Sequence, residues 1–161
     1  MKKWFFFLFA ALLTVSCGSS SKSGGDKIQE AVDALNETTP AKSWDGESLK
    51  SAKYDEEDNV VEFCIKNAHQ EDSISDRKWG TWYIANFMTS YDYFTEEDDG
   101  EGEKEMYMAM APLLELLAEE GVGVRFALEF RNGGSTTINL TPKEVKKAVK
   151  LRKEDCLDYI R

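Results

Sequence analysis

Histidine is nearly missing from this chain: among 161 residues there is one, His69. A Ser-His-Asp or Cys-His catalytic arrangement would have to be built on it. It lies in the polar stretch from Lys66 to Asp76, with no nucleophile motif around it. A zinc site is disfavoured for a related reason, since one His and cysteines at 17, 64 and 156 do not have ligand spacing. Basic residues are scarce beside acidic ones, 20 Lys and Arg against 30 Asp and Glu, for a net charge of −10. That balance argues against a nucleic-acid binder, because phosphates need a basic footprint. Long apolar runs are lacking too. The longest, Trp4 to Val15, falls short of the roughly 20 residues a membrane-spanning helix needs. These absences lead to the expectation of a non-enzyme with no cofactor and no metal.

What is present begins at the N-terminus. Met1-Lys2-Lys3 is a basic start, followed by the apolar run and then Leu13-Thr14-Val15-Ser16-Cys17. This has the form of a secretory signal, and its end resembles the lipobox of bacterial lipoproteins, with Thr14 where the motif usually has Leu. The resemblance implies a diacylglyceryl thioether on Cys17, cleavage before it and acylation, palmitate included, of the new amino group. Each buried methylene contributes about 0.8 kcal/mol, so several acyl chains anchor stably. Gly18 follows the cysteine rather than Asp, which in that family implies the outer membrane. Residues 1–16 are therefore read as signal peptide and 17–25 as lipidated Cys plus Gly/Ser tether. Residues 26–161 are read as one domain, a length that suits a single core.

Within that domain Asp26 is a plausible helix cap, with Gln29 three residues on and Ile28, Ala31, Val32 and Leu35 as an apolar stripe. Pro40 prevents continuation. Leu49 to Tyr54 and Val60 to Lys66 read as a hairpin around the polar Asp55–Asn59 turn. Trp79 to Phe94 fits a helix face, although part of it also alternates. Glu103 to Glu120 reads as helix ended by Gly121, with Pro112 raising a kink, a fresh helix start or a short strand over Met106–Met110 as alternatives. Val122 to Phe130 alternates cleanly, Asn132-Gly133-Gly134 marks a turn, and Ser135 to Leu140 returns. Thr141-Pro142-Lys143-Glu144 opens a last helix whose apolar face runs on through Cys156, Tyr159 and Ile160. The expected fold is α+β: a four-stranded antiparallel sheet from two hairpins, helices mainly on one face, and pseudo-duplicated helix–hairpin units. In topology alone this resembles the secreted β-lactamase inhibitor protein. In style it is similar to small bacterial lipoproteins of unassigned function.

Several side-chain groups are candidates for chemistry. The acidic runs Asp55–Asp58 and Glu96–Glu103 offer oxygen ligands, but neither EF-hand register places a Glu at the twelfth position, so solvated loops are expected. Abundant acids leave paired carboxylates open without supporting them. Trp44, Trp79, Trp82, Tyr83, Tyr91, Tyr93 and Phe94 are either core or a surface for a glycan or protein, with Trp79, Trp82, Tyr83 and Tyr91 as the candidate ligand surface. Cys64 and Cys156 are a candidate disulfide in an oxidising compartment, provided their Cα atoms lie within about 7 Å. Asp72-Ser73-Ile74 resembles an O-glycosylation site of exported bacterial proteins, which implies a glycan on Ser73. The resulting expectation is a non-enzymatic interaction or accessory module in the cell envelope, held to its membrane by lipid, with a protein or glycan partner. Small-ligand binding and inhibition of a periplasmic hydrolase are the alternatives.

Overall fold

A computed structural model describes residues 23–43, 45–68, 76–96 and 104–151. The elements are α1 (Gly24–Glu37), β1 (Ala41–Lys42), β2 (Ser48–Asp55), β3 (Val60–Ala68), α2 (Asp76–Glu96), α3 (Glu105–Glu120), β4 (Gly123–Phe130), β5 (Ser135–Leu140) and α4 (Pro142–Ala148).

Helix α1 begins earlier than its sequence suggests. Ser23, not Asp26, is the N-cap, and Asp26 closes the capping box: its N–H donates to Ser23 Oγ (3.2 Å) and the Ser23 N–H donates to its carboxylate (3.1 Å). Gly24 and Gly25 therefore belong to the first turn and not to the tether. Glycine is a poor helix former, but a Cβ at Gly24 would lie 2.6 Å from Glu120 Oε2. That same Glu120 pairs with Lys27 at 3.1 Å, so the small residue lets α1 close against the end of α3.

The sheet has five strands in the order β1-β2-β3-β4-β5. Both expected hairpins are present and antiparallel. They are joined by a parallel pairing of β3 with β4, from Val60↔Gly123 to Lys66↔Glu129. The sheet is thus five-stranded and mixed, which corrects the four-stranded antiparallel expectation. The physical reason is the connection. Alternation along a strand does not encode the direction of its neighbour, whereas the chain carrying α2 and α3 is long enough for a crossover to a parallel strand. The turns of the two hairpins consequently lie at opposite ends of the sheet, so the helix–hairpin units are not repeats of one arrangement. The fifth strand, β1, is two residues long and too short to show any periodicity.

The helices cover one face. Leu49, Ala52, Val61, Phe63, Ile65, Val124, Phe126, Leu128, Ile138 and Leu140 are all buried beneath them. α1 packs on β2, α2 on β5, and α3 beside β1 and β4, with α4 closing on β4 and β5. The aromatic segment is helical throughout. Its Gly80 lets α2 approach the sheet, since a Cβ there would lie 2.7 Å from Ile138 Cγ2. α3 runs unbroken with Pro112 inside it. The helix loses a hydrogen bond at Met108, yet Met106, Met110, Leu113, Leu114 and Leu117 are fully buried around it, and that burial outweighs the roughly 3 kcal/mol cost of proline. α4 has the expected cap, with Thr141 and Glu144 exchanging hydrogen bonds. It ends at Ala148 with Val149 as its C-cap, which corrects the expected unbroken face; Cys156 lies outside the described residues.

One side chain of α1 closes a sheet edge. The Asn36 amide donates to the Ala52 carbonyl and accepts from the Ala52 N–H, both at 2.8 Å, in place of a neighbouring strand. Asn36→Ala should destabilise the domain by about 1–3 kcal/mol, the cost of leaving two part-buried main-chain groups unmade. Urea unfolding would show it as a lower midpoint at unchanged slope. A loss within experimental error would refute this role for Asn36.

Candidate functional site

The sheet face opposite the helices carries no buried side chain among its outward positions. It comprises Ser51 and Lys53 from β2, Glu62, Cys64 and Lys66 from β3, Arg125, Ala127 and Glu129 from β4, and Ser135, Thr137 and Asn139 from β5. The strand registers order these into rows across the sheet. One row is Lys53–Glu62–Arg125–Asn139. Its Arg125 is held from three sides: Nη2 on Asp58 at 3.2 Å, Nη1 near Glu62 at 3.6 Å and Nε on Asn139 Oδ1 at 3.0 Å. The hydrogen bond to Asp58, with Glu62 beside it, raises the guanidinium pKa further. The acidic run Asp55–Asp58 is thus a turn, with Asp58 N–H donating to Asp55 and the Asp58 carboxylate taken up by Arg125. A second row runs Lys66–Glu129–Ser135, with an ion pair of 3.2 Å between half-exposed partners. Exposure and screening leave such a pair worth at most about 1 kcal/mol.

Between these rows lies an uncharged one: Ser51, Cys64, Ala127 and Thr137. Here the surface dips into a shallow depression of about 740 Å³, lined by Cys64, Ala127, Glu129, Thr137 and the hairpin glycines 133 and 134. Cys64 is a free thiol. Burial pushes its pKa up, with the Glu129 carboxylate adding to the effect and Lys66 opposing it. The side chain projects from the face opposite α4. Cys156 and the proposed pairing lie outside the described residues.

A second polar group is internal. Ser43, Glu47, Ser48 and Thr81 are the buried polar residues among those described, and the first three lie in the loop between β1 and β2 or at its end. Ser43 Oγ accepts the Glu47 N–H at 3.0 Å, and the Ser43 N–H donates to the Glu47 carbonyl at 3.0 Å. Tyr83 of α2 points its hydroxyl towards Glu47. Burial, then the Glu47 carboxylate, holds its pKa well above the ordinary tyrosine value, so this phenol stays protonated. Arg131 ties the same loop to the sheet, donating from Nε to the Asn67 carbonyl at 3.2 Å and from Nη2 to the Asp45 carbonyl. These contacts brace the loop, in which Ser43 Oγ also donates to the Asp45 carboxylate.

Of the four aromatic candidates, Trp79 and Tyr83 take the core alternative, whereas Trp82 and Tyr91 stay partly exposed. Trp79 and Tyr83 are 4% and 2% exposed. Trp79 stacks on Phe130 at 5.7 Å, and Tyr83 meets Phe126 edge-on at 5.2 Å. Trp82 and Tyr91 are half-buried against the core. The cause is helical spacing: positions 79, 83 and 87 fall on the stripe that faces the sheet. Among the described residues the large exposed hydrophobic is Tyr93. Cys17, Trp44, His69, Ser73 and residues 97–103 lie outside the described residues. Among those described, no three His, Cys, Asp or Glu side chains are grouped to hold a metal ion, and no helix is long and apolar enough to cross a membrane.

Sequence reasoning had the alternation of β3 and β4 and helices mainly on one face, and the buried side is the one that carries Val61, Phe63 and Ile65. It did not have the rows, because these depend on which strands are neighbours. No family model matches the chain, and neither a curated protein nor a solved structure matches it.

The Cys64 environment makes a kinetic prediction. At neutral pH its alkylation by iodoacetamide should be slower than that of free cysteine, because less thiolate is present. Glu129→Gln removes a negative neighbour, so it should lower the pKa and speed the reaction several-fold. An unchanged or slower rate in that variant contradicts the assignment.

Proposed function

We propose that this chain is an envelope lipoprotein, anchored through lipid on Cys17 at the outer membrane, whose uncovered sheet face is a non-catalytic contact surface for another envelope protein. The observation that carries the reading is the one-sided architecture. A sheet with a complete helix layer on one side presents on the other a rigid, small-residue surface framed by Arg125 and Glu129. A surface fixed by main-chain pairing loses little entropy when a partner docks on it.

The lipobox at Cys17 supports the anchoring half of the proposal, and the start of the domain is compatible with it. Gly25 lies against the Tyr54 ring and Gly24 against Glu120, so α1 starts at the end of the sheet that carries the β2–β3 turn. The β4–β5 turn lies at the other end, about 26 Å away along an eight-residue strand. A lipid tether joined at Ser23 would leave the contact face and the β4–β5 turn clear of the bilayer. The acidic Asp55–Asp58 turn at the tethered end disfavours lying flat on anionic lipid.

Two measurements test the halves separately. Metabolic labelling with a palmitate analogue should mark the wild type and not Cys17→Ala; equal labelling of both would remove the anchor. A photo-crosslinking amino acid at Ala127, in the centre of the open face, should give a discrete adduct in intact cells. The same group at Glu119, exposed on α3, should not. Equal adducts from both positions, or none from Ala127, would refute the contact surface.

A further inference from the structure

The two edges of the sheet are treated differently. On the β2 side the main chain is occupied: β1 pairs with Leu49 and Ser48, and the Asn36 amide takes both main-chain groups of Ala52. β5 forms the other edge, and its hydrogen-bonding direction can be worked out. The Phe130 N–H donates to the Gly134 carbonyl at 2.8 Å, which makes those two a hydrogen-bonded pair. Such pairs alternate along an antiparallel ladder. In the observed register the next ones are Leu128↔Thr136, Phe126↔Ile138 and Val124↔Leu140. Ser135, Thr137 and Asn139 therefore direct their N–H and C=O groups away from β4, towards the free edge. Among the described residues these groups form no main-chain hydrogen bond.

Edge strands are normally protected by charge, proline, a bulge or brevity. β5 runs Ser-Thr-Thr-Ile-Asn-Leu, with no charge and no proline, and its pairing with β4 has no bulge. Thr136, Thr137 and Ile138 are β-branched and suit a strand.

We propose that β5 pairs antiparallel with β5 of a second copy of this chain, about a two-fold axis at Thr137, to make one sheet continuous across both subunits. The register follows from two constraints. Side chains must stay on their own faces, so outward residues oppose outward residues. Only the pairing centred on Thr137 then uses all three outward residues on both copies: Thr137 opposite Thr137, and Ser135 opposite Asn139.

Self-complementarity selects a second copy as the occupant. About this axis the Glu62–Arg125–Asn139 row of one copy continues into the Ser135–Glu129–Lys66 row of the other, and the two β5 strands keep the charged residues of β4 about 14 Å apart. The central row, Cys64–Ala127–Thr137, meets its own image without a charge, and a Thr–Thr cross-strand pair is favourable. The side chains that meet at the seam are all neutral, so it brings no like charges together in a chain of net charge −10. The interface is isologous and closed, so it ends at a dimer rather than a fibre.

The test is sedimentation equilibrium of residues 17–161 carrying Cys17→Ser, over a dilution series. The parent should show twice the chain mass. Thr137→Lys and Thr137→Glu, which put like charges together at the axis, should each show the single-chain mass, and an equimolar mixture of the two should recover the doubled mass. Far-UV circular dichroism checks that each variant is folded. Hydrogen exchange on the parent chain supplies a readout that needs no variant: the Ser135, Thr137 and Asn139 amides should be protected in the concentrated sample and lose that protection on dilution. A parent chain that stays single throughout overturns the proposal. So does a dimer that tolerates both charged variants, or one in which those three amides exchange freely.

Discussion

The parallel pairing of β3 with β4 is the constraint on which the rest of this molecule depends. It joins two hairpins that would each be marginal alone and makes the sheet wide enough to seat a helix layer. It also sets the interior, bringing Phe63 and Phe126 into a stack with centroids 5.7 Å apart. Because parallel neighbours need a long connection, the pairing accounts for the α2–α3 crossover and places the two hairpin turns at opposite ends. On the outer face the same register lines up Glu62 with Arg125, Cys64 with Ala127 and Lys66 with Glu129.

A second consequence is the contrast between the two faces. The covered face is aliphatic and aromatic, and Ser43 and Glu47 among its polar exceptions brace the β1–β2 loop through two hydrogen bonds. The open face is small and neutral at its centre and ionic at its ends. Its ion pairs are exposed, so they contribute more to the pattern a partner meets than to stability. The sheet is also asymmetric at its edges: Asn36 completes one, while β5 leaves main-chain groups facing outward on the other.

Much of the local structure was legible in the chain. The second hairpin could be placed from the alternation of Val124, Phe126 and Leu128 and from Asn132-Gly133-Gly134, because these depend on neighbouring residues alone. The α4 cap was legible for the same reason, with Thr141, Pro142 and Glu144 forming a local device. Where a local rule had two solutions, the fold chose. Asp26 was read as the cap of α1, and the structure gives that place to Ser23 with Asp26 closing the box, so the helix takes in Gly24 and Gly25. Pro112 argued for a break, but the surrounding burial kept α3 whole. The rings at 79 and 83 were read as core or surface, and Phe126 and Phe130 opposite them decide for the core.

By itself the sequence determined the α+β class, both hairpins and the apolar stripes, since each is written within a few residues of itself. Only the tertiary structure decided that β3 and β4 run parallel, that a two-residue β1 extends the sheet and that β5 lies at its other edge. These depend on residues far apart in the chain, such as Lys66 with Glu129 or Asn36 with Ala52. Hydrophobic periodicity specifies which side of a strand is apolar; it does not specify which strand lies next to it.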